Sequence, residues 1–327
     1  MLASRASLAP ARLLLAAAAL LLSTTSLQVT AAASYQIQDT YDATNFFDEF
    51  EFFSAPDPTE GFVRYQTALE ANASALAGYA NGGVFLGVDA KTPGVASPGR
   101  ASTRVNTRKK YTRGLFVADI AHMPSSTCGV WAAFWSFGDP WPSAGEIDII
   151  EGVNRDTSTK FTLHTASGCS FANSGAGNCN APGDGTKGCT QPGFDNALSY
   201  GDGFNSIGGG VFATEWTSEA IRIWFFPRNA PVPGDLNSPS PDPSTWGPPA
   251  AQFLGSPGQD GCDIDSHFRE HRLVFNTALC GQWAGKVFGQ DAQCAGLASS
   301  CEAYVANHPE AFASAYWLIN SVKVYSR

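Results

Sequence analysis

The chain has 327 residues and a formal net charge of −9, with only 15% charged residues beside 12% aromatics, 33 glycines and 20 prolines. The acidic balance argues against a polyanionic partner, so no nucleic acid is expected. Abundant glycine, proline and aromatic residues fit a loop-rich all-β chain better than a helical one, and the length allows one large domain or two small ones with a sizeable core.

Arg5 and Arg12 precede the apolar run Leu13 to Leu22, small residues follow at Ala31-Ala32-Ala33, and no acidic residue occurs before Asp39. This is the pattern of a secretory signal peptide, with cleavage expected near Ala33–Ser34. The apolar run falls short of the roughly 20 residues of a membrane span. The chain is therefore expected to be secreted and extracellular, with no membrane partner. Eight cysteines, all beyond this segment and none in a C-x-x-C pair, read as disulfides rather than a zinc site. Cys294–Cys301 is a local loop closure to expect, as is a pair drawn from Cys169, Cys179 and Cys189. Asn72-Ala73-Ser74 is an N-glycosylation acceptor.

Residues 35–65 are rich in Tyr and Phe, with Pro56-Asp57-Pro58 as a turn and Gly61 to Tyr65 as a strand. Val84 to Val88 is a second apolar strand. Arg100 to Arg113 carries six basic side chains; it reads as a solvated basic face, with Arg104-Val105-Asn106 on an edge or surface strand. Gly114 to Ile120 is a buried strand. In Gly129 to Gly138, alternation places Trp131, Ala133, Trp135 and Phe137 on one face. The turn Asp139-Pro140-Trp141-Pro142 leads into Gly145-Glu146-Ile147-Asp148-Ile149-Ile150-Glu151-Gly152, and Phe161 to Thr165 is expected to pair with that stretch because the connection is short. Residues 167–210 read as a long loop stapled by a disulfide. Val211 to Trp216 and Ile221 to Phe226 form a hairpin, and Pro227 to Pro257, with nine prolines, is an irregular excursion. Leu273 to Thr277 and Trp317 to Tyr325 are closing strands, with one short helix between them in Cys301 to Ala315. The last segment is a strand rather than an apolar tail, so no lipid anchor is expected. Many short strands with frequent turns describe a β-sandwich or barrel.

The acidic stretch is the chemical signal. Strict alternation puts Glu146, Asp148 and Ile150 on one face and drives Glu151 to the other, beside Ile147 and Ile149. An unpaired buried charge is costly. One extra residue at Ile149-Ile150, a β-bulge, returns Glu151 to the face of the other two acids. Five residues at about 3.3 Å each separate the Cα atoms of Glu146 and Glu151 by roughly 16 Å, less when bulged. Three like charges on one face gain nothing in stability, so they point to chemistry. Glycoside hydrolysis uses such a pair, one carboxylate attacking and one delivering a proton. Calcium binding is the alternative, although isoleucine spacers are foreign to calcium loops; structural coincidence is the third reading. Trp131, Trp135 and Trp141 lie close by in sequence, and indoles pack well on sugar C–H faces. His164 becomes a site residue if a carboxylate neighbours it.

Gly145 to Glu151 resembles the E-x-D-x-x-E signature of glycoside hydrolase family 16, in its bulged form. Gly61-Phe62-Val63, Gly114 to Pro124, Ala133-Phe134-Trp135, Thr162 to Thr165, Thr214-Glu215-Trp216, Cys280 to Gly285 and Ala315 to Asn320 resemble its fungal secreted, laminarinase-type branch. The resemblance spans nearly all of the chain after residue 33. It implies a concanavalin A-like β-jelly roll of two curved antiparallel sheets, with residues 34–327 as a single catalytic domain after the signal peptide of residues 1–33. It further implies retaining endo-hydrolysis of β-1,3 or mixed β-1,3/1,4 glucans, with a glucan transglycosylase or a non-catalytic glucan lectin as the other readings. Glu146 would be the nucleophile, Glu151 the acid/base and Asp148 the residue orienting the nucleophile. Trp135, Trp141, His164, Arg104, Glu215 and Trp216 would line the subsites. The expected partner is a β-glucan polysaccharide and the expected state a monomer; no cofactor is expected, and a structural calcium is not indicated. Leu318 departs from the family, whose closing stretch often has Glu there.

Overall fold

The computed structural model describes residues 1–2, 34–181, 188–258 and 261–327. The segment read as a signal peptide lies, apart from its first two residues, outside the described residues. Residues 34–327 form one compact unit, and no helix among the described residues is long and apolar enough to cross a membrane.

In chain order the strands are β1 (Gln36–Asp42), β2 (Phe50–Phe52), β3 (Val63–Tyr65), β4 (Ala77–Ala80), β5 (Gly83–Gly87), β6 (Arg100–Ser102), β7 (Arg104–Thr107), β8 (Gly114–His122), β9 (Val130–Phe137) and β10 (Glu146–Val153). There follow β11 (Thr162–His164), β12 (Ser170–Phe171), β13 (Gly177–Asn178), β14 (Cys189–Thr190), β15 (Gly210–Trp216), β16 (Ala220–Pro227), β17 (Ala251–Leu254), β18 (Arg272–Leu279) and β19 (Tyr316–Ser326). Two antiparallel sheets carry the fold. One has eight strands in the order β17-β16-β15-β8-β19-β5-β4, with β1 also on β19; the other has seven in the order β14-β11-β10-β9-β18-β7-β2.

The sequence alternates because each strand has one face in the layer between the sheets. Val130, Ala132 and Phe134 of β9 and Leu273, Phe275 and Leu279 of β18 are buried there with Phe116, Ala118 and Ile120 of β8 and Trp317, Ile319 and Val322 of β19. Phe134 and Phe275 are cross-strand partners with ring centroids 4.3 Å apart, a contact that contributes about 0.5–1.5 kcal/mol beyond burial alone. A jelly-roll sandwich is thus the fold.

Several connections differ from the sequence expectation. The proline-rich excursion contains the edge strand β17, and its Leu236 and Trp246 cover Leu115, Val117, Val211 and Ala213 on the outer face of the eight-stranded sheet. The basic stretch is not a solvated face along its whole length. Arg100 is fully buried, its guanidinium donating to the carbonyl oxygens of Val305, Ala306, Asp89 and Thr92. β7 lies between β18 and β2 rather than at an edge. Cys294 and Cys301 do not pair with each other, although Cys179 and Cys189 do. Cys294 bonds Cys128 and Cys301 bonds Cys280, because Cys128 precedes β9 and Cys280 follows β18 at the ends where Val130 and Leu279 are register partners. Two bridges therefore pin the segment 281–307 to one end of the seven-stranded sheet. The fourth, Cys169–Cys262, ties the loop after β11 to the approach to β18. The helix expected in 301–315 is split into Cys301–Asn307 and a 3-10 turn, Pro309–Phe312.

Candidate active site

β10 enters the seven-stranded sheet from the turn carrying Trp141 and pairs with β9 on one side and β11 on the other. Glu146 faces Phe137 and His164, and Asp148 faces Trp135 and Thr162. The β9 ladder then slips between Asp148 and Ile150, so that Ile150 faces Phe134 and Glu151 faces Ala133. Ile149 is the extra residue of a bulge, and Ile147, Ile149 and Ile150 are all buried in the core. Because directly opposed residues share a face, Glu146, Asp148 and Glu151 lie with Trp135 and Phe137 on the face turned away from the core. Asp148, Arg104, Asn106, Thr162 and Asn276, on that same face by register, are all buried. Burial of so many polar groups on the face turned away from the core marks a recess there.

Each carboxylate has its own indole. Trp141 Nε1 donates to Glu146 Oε2 at 2.7 Å, and Trp131 Nε1 donates to Glu151 Oε1 at 2.9 Å. His164 Nε2 lies 3.3 Å from Asp148 Oδ2 and 3.7 Å from Glu146 Oε1. Further along, Trp135 Nε1 donates to Asn276 Oδ1 at 2.7 Å and Asn276 Nδ2 to the Tyr65 hydroxyl at 3.2 Å. The Arg104 guanidinium lies 4.3 Å from the Phe53 ring centroid and 5.0 Å from that of Trp135. On the Glu151 side, Trp283 meets Trp131 edge to face with centroids 5.6 Å apart, and Lys160 Nζ lies 5.1 Å from the Trp283 ring centroid.

Burial dominates the electrostatics. It raises the Glu146 carboxyl; protonated His164 opposes that rise, Glu151 adds to it, and the Trp141 N–H and Arg104 moderate it. Asp148 is pushed up to about 7 by burial and by the charge of Glu146, against its hydrogen bond with His164. Glu151 is pushed up to about 8 by burial and by Asp148, the Trp131 N–H holding it back. Burial alone would lower His164, but the hydrogen bond to Asp148 and the charges of Glu146, Asp148 and Glu151 carry it up to about 10. The result is a cationic imidazole held between carboxylates whose protons are shared among the group. Glu146, Asp148 and His164 could each turn one atom to a metal ion, since these atoms lie within 4.8 Å of one another.

Of the residues singled out in the sequence, Glu146, Asp148, Glu151, Trp135, Trp141, His164 and Arg104 are brought together. Glu215 and Trp216 are not, and the structure corrects their assignment: both lie on β15 in the other sheet. Glu215 accepts from Tyr35, Arg222 and Arg327 on the outer side, whereas Trp216 is buried against His271 and Phe268. Tyr65, Asn276, Phe53 and Trp283 belong to the recess but were not among the expected site residues; only Trp283 carries a local signal, lying in the Cys280 to Gly285 run that resembles the family. Tyr65 and Asn276 arrive through the register of β18 with its neighbours, which one strand's sequence does not reveal.

The family described as XgeA-like, catalytic GH16 domain, matches residues 50–325. An endo-1,3(4)-β-glucanase of Arthroderma benhamiae is 44% identical over 312 residues, covering 92% of this chain and 67% of that protein. Among solved structures, GH16 Laminarinase 16A of Phanerochaete chrysosporium, with 6-O-glucosyl-laminaritriose in donor and acceptor sites, superposes with a TM-score of 0.81 at 38% identity, covering 90% of this chain and 100% of that one. An elongating GH family 16 β-1,3-glucosyltransferase superposes with a TM-score of 0.80 at 40% identity, with the same coverage. Relatives from Aspergillus clavatus and Neosartorya fischeri are longer, and the chain spans about half their length (48% and 47%).

Proposed function

The chain belongs to glycoside hydrolase family 16, and from that premise we propose that it is a secreted endo-β-glucanase cleaving β-1,3 or mixed β-1,3/1,4 glucans with retention of configuration. The bulge carries this reading, because it sets Glu146, Asp148 and Glu151 on one face of a recess lined by tryptophans. Glu146 is the nucleophile: the Trp141 N–H, the imidazolium of His164 and Arg104 favour its ionised form. Glu151, with a pKa pushed up to about 8, is protonated at neutral pH and is the general acid. Asp148, between the two, shares its proton with His164 and orients Glu146.

In the first step Glu151 gives its proton to the glycosidic oxygen as the C1–O bond breaks, and Glu146 bonds to C1. In the second, the Glu151 carboxylate takes a proton from water, whose oxygen bonds to C1 as the Glu146 ester breaks. Retention needs the two carboxyl groups about 5–5.5 Å apart, and the bulge shortens the strand path between Glu146 and Glu151 on their shared face. Arg104 Nε and Asn106 Oδ1 are buried and make no hydrogen bond among the described residues. Such groups call for a partner, and a hydroxyl-rich glucan supplies one. Four disulfides support an extracellular site of action, and residues 34–327 are read as one catalytic domain.

Transfer of the glycosyl group to a second sugar is the alternative outcome of the same intermediate. Trp283 beside Trp131 and Glu151 offers an aromatic wall on the leaving-group side, which suits a sugar acceptor as well as a departing one. Product analysis on laminarin and lichenan separates the two outcomes: new reducing ends mark hydrolysis and longer oligomers mark transfer. Glu146→Gln is expected to abolish release of both kinds of product while the fold survives; undiminished release overturns the assignment of Glu146.

A further inference from the structure

Glu151 lies beyond the bulge, and beyond the reach of β11, which pairs with β10 only over Glu146, Ile147 and Asp148. A strand residue that has lost its neighbour on one side leaves an amide and a carbonyl to be satisfied from elsewhere. The returning segment supplies both. Glu151 N donates to the Thr159 hydroxyl at 2.9 Å, and Lys160 N donates to Glu151 O at 2.9 Å. The next carbonyl, of Gly152, accepts from the Tyr200 hydroxyl at 2.7 Å.

Thr159 is itself fixed. It is 2% exposed, and its amide donates to Ser199 Oγ at 3.1 Å, whose hydroxyl donates in turn to Asn196 O at 2.6 Å. Asn196 N closes the loop onto Ser158 Oγ at 3.1 Å. The backbone of Glu146 is thus held by two strands, whereas that of Glu151 is held by one strand, the Lys160 amide and a threonine hydroxyl backed by a part-buried ring of polar groups.

We infer that Thr159 is a positioning residue for the acid/base carboxyl, replacing with one side-chain acceptor the strand that the bulge leaves behind and fixing where the Glu151 proton meets the glycosidic oxygen. The inference rests on Glu151 being the general acid. A small displacement of a proton donor is costly only where the leaving group needs the proton.

The test compares kcat/KM on two substrates: laminarin, whose sugar alcohol leaving group needs protonation, and 2,4-dinitrophenyl β-laminaribioside, whose phenolate leaves without it. Thr159→Val keeps the shape and removes the acceptor. It is expected to lower kcat/KM on laminarin roughly 10- to 100-fold and to leave the dinitrophenyl substrate within about twofold, with Thr159→Ser restoring laminarin. Should Thr159→Val fold poorly, Ser199→Ala, which frees the Thr159 amide, is expected to give a smaller loss with the same dependence on leaving group. Equal losses on both substrates, or an unchanged laminarin rate, overturn the proposal. Glu151→Gln serves as the reference: if that variant also loses both substrates equally, the acid/base assignment itself has failed, and not the positioning by Thr159.

Discussion

At Glu151 the chemistry and the stability of the protein pull in opposite directions. Its carboxyl is buried, and folding raises its pKa from 4.5 to about 8, so between those values the folded state binds more protons than the unfolded chain. Stability therefore falls as pH rises through that window. Asp148, raised from 3.8 to about 7, acts in the same direction. His164 is raised from 6.5 to about 10, so its ion pairing stabilises fully below about 6.5 and is lost as pH rises through about 10. Glu151→Gln keeps a neutral, hydrogen-bonding side chain at every pH. Its unfolding temperature is expected to match the native protein near pH 4.5 and to exceed it increasingly toward pH 8, a difference that calorimetry across the range reads directly. A constant difference contradicts the assignment of the raised pKa. Strain of this kind is what a functional site tolerates and a structural one removes.

At the scale of the element, β10 decides the site through one inserted residue. Deleting Ile149 removes the bulge and leaves a regular ladder, with Ile150 still inward and Glu151 still opposite Ala133 on the acid face, but without the bend and added twist that the bulge gives the strand. That variant is expected to keep the fold and to lose about 100-fold in laminarin hydrolysis, because the Glu151 carboxyl is re-aimed; urea unfolding checks the fold, and an unchanged rate contradicts a catalytic part for the bulge. This feature was legible in the sequence because the acids broke the alternation that the isoleucines kept. The pairing of β10 with β11, and with it His164, was legible from the short connection. Arg104 was expected on an edge or surface strand, whereas it is buried; its burial comes from β2 and β18 on either side of β7. Glu215 and Trp216 misled because a run that resembles a family reports shared structure as readily as shared chemistry. Trp216 packs the core against His271, a role that a resemblance spread over short stretches cannot distinguish from sugar stacking.

Over the whole molecule, strand count and turns pointed to a β-sandwich or barrel and the family resemblance to two antiparallel sheets, whereas the disulfide map follows from tertiary proximity alone. Cys128–Cys294 joins residues 166 apart, and with Cys280–Cys301 it fastens the segment carrying Trp283 beside Trp131. Replacing Cys128 and Cys294 together by serine is expected to lower unfolding free energy by about 2–5 kcal/mol and to weaken action on long glucans more than on activated aryl glycosides, whose leaving group makes little use of the Trp283 wall. An equal effect on both substrate types contradicts that placement of Trp283.

The central claim is that the bulged strand presents Glu146 as the atom donor to C1 and Glu151 as the proton donor. Peptide mass mapping after reaction with a 2-deoxy-2-fluoro-β-laminaribiosyl fluoride tests it most directly, because the fluorine slows release of the glycosyl-enzyme. The account predicts one glycosyl adduct, on Glu146, with every other carboxylate of the recess unmodified. An adduct on Glu151 or Asp148, or an inverted product with no adduct at all, contradicts it.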